Sequence, residues 1–255
     1  MKIYRFRHGG KVLYGALRED VLRPILGSVY GDFSLGDDEI PLGKVEILPP
    51  AEPTKIVAIG SNYKDHAKEM DKPLPEEPLL FLKPSSAVIG PNGVILYPEM
   101  SKRVDYEGEL ALVIKKETRR LSDGADVRDH ILGYTCFNDV TARDLQVKDG
   151  QFTRAKGFDT FASFGPCLVT DLDPSHLEIK TFLNGKLKQS STTGQLIFPI
   201  PFLVRFISRV MTLFPGDMIT TGTPSGVGPM EPGDRVDVQI EGIGTLSNSV
   251  GKFQE

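Results

Sequence analysis

The amino-acid sequence predicts a mostly β protein of the α+β class, in which a small N-terminal domain precedes a larger core. Its 255 residues include 26 glycines and 19 prolines, and so many turn formers favour short strands over long helices. Short apolar runs recur between these turns. Pro49, Pro50 and Pro53 indicate a boundary, which predicts a strand-rich domain over 1–50 and a core over 51–255.

A hairpin pattern predicts the first strands of the N-terminal domain. Residues Lys2 to Phe6 alternate apolar and polar side chains. A His8-Gly9-Gly10 turn then leads into a second alternating segment from Lys11 to Leu17. Alternation on both sides of a glycine turn is typical of two antiparallel strands.

The core begins with a buried strand, Lys55 to Ile59, and a short helix follows near residues 61–70, with Ser61 or Asn62 as its cap. Strands then dominate. They are predicted at residues 79–82, 93–97, 110–114, 133–137, 167–170, 179–183 and 236–240. One more helix is predicted over 200–213. Its core-facing stripe comprises Phe202, Leu203, Phe206, Ile207 and Val210.

Composition and charge exclude several classes of protein. The net charge of -4 provides no basic field for nucleic acid or an anionic membrane surface. No apolar run reaches the roughly 18–20 residues needed to span a bilayer. Cys136 and Cys167 lie in apolar segments, so we expect buried free thiols in a reducing compartment and a cytoplasmic location.

The sharpest local feature is a pair of glutamates, Glu107 and Glu109, beside the most continuous apolar strand. Residues two apart in a strand share a face, so both carboxylates point the same way, about 7 Å apart at Cα. Asp139 supplies a third carboxylate at the end of another strand. Hard oxygen ligands favour Mg²⁺ or Mn²⁺, which would also relieve the repulsion between the carboxylates. On spacing alone, the commoner alternative is a solvated strand end, with Asp139 as a helix cap.

Six segments between about residues 56 and 250 together resemble the fumarylacetoacetate hydrolase family and occur in that family's order. The segments are Gly60-Ser61-Asn62-Tyr63 with His66-Ala67-Lys68-Glu69, Phe81-Leu82-Lys83-Pro84, Tyr106-Glu107-Gly108-Glu109-Leu110, Asn138-Asp139-Val140-Thr141-Ala142-Arg143-Asp144-Leu145-Gln146, Ala155-Lys156-Gly157-Phe158-Asp159-Thr160-Phe161 and Thr221-Gly222-Thr223-Pro224-Ser225-Gly226-Val227. The resemblance implies a mixed β-sandwich roll core, a homodimer, and a Mg²⁺ or Mn²⁺ ion held by Glu107, Glu109 and Asp139.

The resemblance also implies three catalytic residues. Lys156 matches a lysine that supports the enolate oxygen of a 2-oxo acid, where a positive charge stabilises the negative charge that develops. His66 and Glu69, at i and i+3, match a pair on a mobile lid. In that pair the histidine activates water as general base and the glutamate orients the histidine. The alternative for this segment is an exposed helix with ordinary ion pairs.

Four further residues match positions around the substrate and the metal. The resemblance makes Thr223 a contact for the substrate carboxylate, and it places Arg143 and Gln146 near the metal and substrate. Lys83 matches a position near the metal shell. For Arg143, a structural ion pair is the open alternative.

The glycine-rich segment Thr221–Gly228 lacks the lysine that ends a phosphate loop, so nucleotide binding is not expected.

Two residues limit what the resemblance implies about the substrate pocket. Ser61 and Phe152 depart from an arginine and a tryptophan found in part of the family. These departures put the distal part of the substrate pocket in doubt.

The reaction predicted first is hydrolysis of a C–C bond in an acylpyruvate, a 2,4-dioxo acid, through an enolate. Oxaloacetate decarboxylation and 2-hydroxydienoate isomerisation use the same kind of site, and the sequence does not choose among the three. A hypothesis of another class is a non-catalytic, metal-dependent dicarboxylate-binding module. It would need neither His66, Glu69 nor Lys156, so their joint presence argues against it.

Overall fold

The structure, a computed structural model, describes residues 1–69, 71 and 73–252. Strands dominate and the helices are short, so the mostly β prediction is confirmed. The strands are β1 (Lys2–His8), β2 (Lys11–Arg18), β3 (Val21–Gly27), β4 (Phe33–Leu35), β5 (Ile40–Pro41), β6 (Glu46–Leu48), β7 (Lys55–Gly60), β8 (Leu79–Pro84), β9 (Val88–Ile89), β10 (Val94–Tyr97), β11 (Val104–Tyr106), β12 (Gly108–Ile114), β13 (Ile131–Asp139), β14 (Thr141–Ala142), β15 (Ala162–Val169), β16 (Glu178–Leu183), β17 (Lys186–Thr192), β18 (Met218–Thr220), β19 (Gly228–Met230), β20 (Arg235–Ile240) and β21 (Gly244–Lys252). The α-helices are α1 (Lys64–Glu69), α2 (Arg143–Asp149), α3 (Phe152–Lys156) and α4 (Ile200–Val210).

The described residues form three sheets. The largest contains thirteen strands, and its central path runs β4-β3-β2-β1-β15-β13-β12-β18-β7-β8. A second sheet has the order β10-β21-β20-β16-β17, and a third has the order β14-β11-β19. The N-terminal strands extend the largest sheet, because β1 pairs antiparallel with β15. A separate domain over 1–50 stays a prediction.

The largest sheet is buried on both faces at β12. Leu110, Leu112 and Ile114 belong to a core that includes residues of β16, β20 and α4. Ala111 and Val113 pack into a different core on the opposite face. A strand covered on both faces needs a continuous apolar sequence, which explains why this segment was recognisable from sequence.

Helix α1 begins later than predicted, and the predicted caps do not act as caps. The backbone N–H of Ala67 donates to the carbonyl oxygen of Tyr63, so Tyr63 holds the cap position and Ser61, with a φ of +54°, lies two residues before it. The side chain of Asn62 accepts a hydrogen bond from the backbone N–H of Phe198 and donates one to the carbonyl oxygen of Thr221. The predicted last residue, Met70, lies outside the described residues.

Helix α4 ends three residues before the predicted position. Leu203 and Ile207 are buried as expected, but Phe202 and Val210 are 43% and 58% exposed, so the predicted stripe is wrong for these two residues. The chain becomes extended at Met211, which ends the helix.

Helices α2 and α3 were not predicted. Helix α2 ends at a left-handed Gly150, whose backbone N–H donates to the carbonyl oxygen of Gln146. Few apolar side chains mark the two helices, and within them Leu145 and Ala155 are the buried ones. Without a repeating apolar stripe, helical periodicity could not be detected from sequence.

Two predictions from composition can be compared with the structure. Cys136 and Cys167 are buried free thiols, as expected. Among the helices that the structure describes, none has the length and apolar character needed to cross a membrane.

Candidate active site

The three predicted metal ligands converge because β12 and β13 are neighbouring antiparallel strands. Gly108 lies opposite Asn138, and the backbone N–H of Asp139 donates to the carbonyl oxygen of Glu107 at 2.8 Å. Single carboxylate oxygens of Glu107, Glu109 and Asp139 lie within 4.8 Å of one another. The three residues are only 6%, 1% and 1% exposed, so the solvated strand end is the wrong alternative.

Asp139 does not cap a helix. Helix α2 begins at Arg143, and its cap residue, Ala142, offers no side-chain hydrogen bond. Asp139 instead binds two buried lysines. Its Oδ1 accepts a hydrogen bond from Lys83 at 2.5 Å, and its Oδ2 accepts one from Lys156 at 2.6 Å.

Lys156 bridges two of the three carboxylates. Its ammonium group also donates to Oε2 of Glu107 at 2.7 Å and lies 5.1 Å from the centre of the Phe81 ring. Burial alone would lower the pKa of Lys156, but the charges of Asp139 and Glu107 outweigh it and raise the pKa. The lysine is therefore held as a cation inside the site.

Lys83 lies behind Asp139. It is fully buried and donates a second hydrogen bond to the carbonyl oxygen of Val140 at 3.1 Å. Burial lowers the pKa of Lys83 to about 8, although Asp139 acts in the opposite direction. The residue supports a predicted metal ligand, which agrees with its expected place near the metal shell. Its role in substrate binding stays a prediction.

Arg143 forms ion pairs with two acidic residues on the ligand segment. It contacts Oε1 of Glu107, and its Nε lies 2.9 Å from Oδ2 of Asp105. Its Nη1 donates to Oε1 of Gln146 at 2.6 Å. Burial would raise the pKa of Glu107, but Lys156 and Arg143 outweigh burial and lower it to about 2. Arg143 therefore forms the ion pairs that its alternative, structural role requires, and these ion pairs lie beside the predicted site.

Glu109 differs from the other two carboxylates because no described Lys or Arg side chain forms an ion pair with it. Its Oε2 accepts a hydrogen bond from the backbone N–H of Gly222 at 2.8 Å. Burial, reinforced by the charges of Asp139 and Glu107, raises the pKa of Glu109 well above its usual range. A buried carboxylate in this position needs a proton or a cation.

The donor set fits a hard divalent cation. Three buried carboxylates offer one oxygen each, and these oxygens lie within 4.8 Å of one another. Among the described residues, no Lys or Arg side chain forms an ion pair with Glu109. Oxygen-only ligands are those that Mg²⁺ and Mn²⁺ prefer. The residues could therefore hold a metal ion, and its identity stays a prediction.

His66 and Glu69 form the predicted pair on α1. Nδ1 of His66 lies 3.1 Å from Oε2 of Glu69, and the glutamate also accepts a hydrogen bond from the backbone N–H of Gly226. Because Nδ1 faces Glu69, Nε2 is the nitrogen available for proton transfer. The side chain of His66 is 16% exposed and that of Glu69 is 42% exposed, so burial does not exclude the ion-pair alternative, and the catalytic role of the pair stays a prediction.

One cavity of about 250 Å³ brings most of the predicted residues together. The predicted residues that line it are His66, Glu107, Glu109, Asp139, Arg143, Gln146, Lys156 and Thr223. The wall is completed by Gly60, by Ser61 and by an apolar group, namely Ile59, Leu79, Phe81, Val147 and Phe152. Lys83 and Glu69 stand behind this lining and contact Asp139 and His66.

The hydroxyl group of Thr223 is already engaged in both directions. It donates to the carbonyl oxygen of Gly108 at 2.9 Å and accepts a hydrogen bond from Nε2 of Gln189 at 2.8 Å. Its predicted contact with a substrate carboxylate would use the backbone N–H or require the hydroxyl to turn. Gln189 and Asp105 are site residues that sequence reasoning missed. Asp105 had one visible signal, its two-residue spacing from Glu107.

Two models of known protein families match most of the chain. Residues 55–251 match the family model described as fumarylacetoacetate (FAA) hydrolase C-terminal. The chain belongs to the fumarylacetoacetate hydrolase family. Residues 1–50 match a second model, described as Rv2993c-like, N-terminal. The predicted family and its mixed β fold are therefore confirmed, and the chain is an enzyme of this superfamily.

Relatives within the fumarylacetoacetate hydrolase family carry several activities. The oxaloacetate tautomerase YisK of Bacillus subtilis is 43% identical over 232 residues, which cover 85% of this chain and 77% of the relative. A 2-hydroxyhepta-2,4-diene-1,7-dioate isomerase from Mycobacterium marinum is 42% identical, with a TM-score of 0.93 and full coverage of both chains. A maleylpyruvate hydrolase from Sphingobium sp. SYK-6, solved with manganese(II) and pyruvate, is 30% identical, with a TM-score of 0.82 and full coverage of both chains.

Proposed function

We propose that this member of the fumarylacetoacetate hydrolase family is a Mg²⁺- or Mn²⁺-dependent enzyme that forms the enolate of a small 2-oxo acid. Its leading reaction is hydrolysis of the C–C bond in an acylpyruvate. The observation that carries the proposal is the shared cavity, in which Lys156 and His66 face the same space as Glu107, Glu109 and Asp139. A manganese ion and pyruvate in a structural relative support this reading.

The metal contribution follows from the donor set. Glu107, Glu109 and Asp139 would hold the ion, which when bound supplies Lewis-acid polarisation of the 2-oxo group. Lys156 keeps its ammonium group beside two of these carboxylates and stabilises the negative charge that develops on the substrate oxygen.

His66 performs the proton transfers. Nε2 of the imidazole takes a proton from water, and Glu69 at Nδ1 stabilises the imidazolium that forms. The hydroxide attacks the carbonyl carbon at position 4, and the bond between carbons 3 and 4 breaks. Its electron pair passes to carbon 3 as the enolate of pyruvate, which takes a proton, and the other product is a carboxylic acid.

Tautomerisation of oxaloacetate is the second candidate, and the 43% identical relative from Bacillus subtilis favours it. This reaction moves one proton between carbon 3 and the 2-oxo oxygen and needs no attacking water. His66 and Lys156 provide the base and the positive charge for it as well. Isomerisation of a 2-hydroxydienoate requires the same two functions, and the isomerase from Mycobacterium marinum supports that alternative.

A substrate panel separates these reactions. Acetylpyruvate, the enol form of oxaloacetate and a 2-hydroxydienoate should each be assayed with Mg²⁺, with Mn²⁺ and with EDTA. The proposal expects metal-dependent release of pyruvate and acetate from acetylpyruvate. Enol decay without pyruvate release would replace hydrolysis by tautomerisation. No turnover, combined with a metal-induced rise in Tm, would favour the dicarboxylate-binding module.

Two properties of the working enzyme belong to the same proposal. The family resemblance implies a homodimer, which sedimentation of the purified chain would test directly. The buried thiols of Cys136 and Cys167 fit a reducing, cytoplasmic setting. Both properties stay predictions.

A further inference from the structure

Strand β17 contacts two parts of the site that lie far apart in the sequence. Gln189 and Ser191 are two residues apart in this strand, so their side chains point to the same face. Gln189 contacts the loop that contains Thr223, and Ser191 contacts the helix that contains His66. Neither residue has a role in the proposed chemistry.

The carboxamide of Gln189 is fully buried and uses both of its ends. Its Oε1 accepts a hydrogen bond from the backbone N–H of Gly108 at 3.0 Å. Its Nε2 donates to Thr223 and, at 2.9 Å, to the carbonyl oxygen of Pro224. Gly108 stands between the two glutamate ligands, so one side chain joins the ligand segment to the substrate loop.

Ser191 connects the same strand to α1 through Asp65. Its hydroxyl donates to Oδ2 of Asp65 at 2.5 Å, across 126 residues of sequence. Oδ1 of the same carboxylate accepts the backbone N–H of His66 at 2.7 Å. The position of the proposed base is therefore tied to β17 and not only to its own helix.

The other end of α1 is held by the loop that packs on β17. Glu69 accepts the backbone N–H of Gly226 at 3.2 Å. A Cβ atom at Gly226 would lie only 2.3 Å from the carbonyl oxygen of Lys188, so the loop lies directly against the strand. Both ends of α1 thus depend on contacts that β17 makes or supports.

We propose that Ser191 and Gln189 are positioning residues, which fix the helix of His66 relative to Thr223 and the ligand strand. Ser191 acts through Asp65, and Gln189 acts through Thr223 and Gly108. The inference rests on the proposed role of His66 as base. It goes beyond that role because it assigns the alignment of the base to β17. This strand belongs to the second sheet, whereas the ligand strands β12 and β13 belong to the largest sheet.

The test compares Ser191→Ala with Ser190→Ala. Ser190 is exposed and its side chain points to the opposite face of β17, so its variant controls for loss of a hydroxyl in the same strand. Ser191→Ala should lower kcat for acetylpyruvate or oxaloacetate about tenfold, because it removes a hydrogen bond to a charged group. Metal affinity and KM should stay at the wild-type values. Ser191→Thr should restore kcat.

Amide hydrogen exchange over residues 64–69 provides a readout that does not depend on substrate. Ser191→Ala should accelerate this exchange, and Ser190→Ala should not. Adding Ser191→Ala to Asp65→Ala should cause no further loss, because both changes break the same contact. Wild-type kcat and exchange in Ser191→Ala, or equal losses in Ser190→Ala, would overturn the inference. If the wild-type enzyme turns over no substrate, the proposed function fails, and the exchange comparison alone then decides the inference.

Discussion

The ammonium nitrogen of Lys156 lies 2.6 Å from Oδ2 of Asp139, and the same nitrogen also contacts Glu107. A predicted catalytic cation is thus bound directly to two predicted metal ligands. This arrangement holds the carboxylates together and places a positive charge in the cavity that they line.

Replacing this lysine separates its catalytic role from metal binding. We expect Lys156→Met to lower kcat about 100- to 1,000-fold, because it removes the positive charge where the enolate oxygen forms. The metal should still bind, since the three carboxylates remain. Steady-state kinetics together with a Mn²⁺ titration would measure both quantities. Full activity in Lys156→Met would contradict the assigned role.

Neutralising one ligand should remove metal dependence. Glu109→Gln keeps the size of the side chain but removes its negative charge. Among the described residues, no Lys or Arg side chain forms an ion pair with this carboxylate. We expect Mg²⁺ and Mn²⁺ to raise the Tm of the wild-type protein and to leave the Tm of this variant unchanged. Glu117→Gln, at an exposed position, is the matched control and should behave as wild type. A metal-induced rise in Tm for Glu109→Gln would argue against the site.

Metal binding should release a proton, because the buried position of Glu109 and its carboxylate neighbours raise its pKa well above the usual range. Without metal, protonated Glu109 contributes stability that is complete below its unfolded pKa and is lost as the pH rises through its folded pKa. We therefore expect tighter metal binding and a larger metal-induced rise in Tm as the pH increases through that range. Calorimetry in two buffers of different ionisation enthalpy would count the released protons, and none should be released by Glu109→Gln.

The histidine pair should affect catalysis and leave the metal site intact. We expect His66→Ala to lower kcat for acetylpyruvate hydrolysis about 100- to 10,000-fold, the usual range for loss of a general base. Glu69→Gln should have a smaller effect, because the imidazole remains. Neither change should alter metal affinity, since neither side chain bonds to a predicted ligand. Hydrolysis at the wild-type rate in His66→Ala would show that another group activates water.

Gly108, which lies between the two glutamate ligands, should not tolerate a side chain. A Cβ atom at Gly108 would lie 2.1 Å from Oγ1 of the buried Thr181, so the Thr181 side chain, β16 or the ligand segment would have to move. We expect Gly108→Ala to cost about 1–3 kcal/mol in the free energy of unfolding and to weaken metal binding. Gly124→Ala, where no atom of the described residues lies within 4 Å of the added Cβ, is the control for thermal unfolding experiments. Equal Tm values for the two variants would contradict this account.

Two patterns explain which parts of the site the sequence could predict: the alternation of side chains along a strand and an unbroken run of apolar residues. Leu110 to Ile114 form a continuous apolar segment because both faces of β12 are covered. The two-residue spacing of Glu107 and Glu109 then predicts carboxylates on one face. Bringing Asp139 to the same place required the family resemblance, since no local pattern indicates that β12 and β13 pair.

The remaining features depend on contacts between distant segments. Gln189 reaches Gly108 across 81 residues, and Ser191 reaches Asp65 across 126 residues. Spacing within a segment carries no information about such contacts. Asn62 illustrates the same limit. Asparagine is a preferred residue type for a helix cap, but the side chain of Asn62 binds the backbone of Phe198 and Thr221.

We propose that the three carboxylates hold a divalent ion at which a 2-oxo acid becomes an enolate. Exchange of the methyl protons of pyruvate in D₂O, followed by ¹H NMR, tests it without assuming which bond the enzyme breaks. We expect exchange with the wild-type protein and Mg²⁺, and only background exchange with EDTA or with Asp139→Asn. Background exchange in the wild-type protein, at a Mg²⁺ concentration that calorimetry shows to be saturating, would contradict the claim.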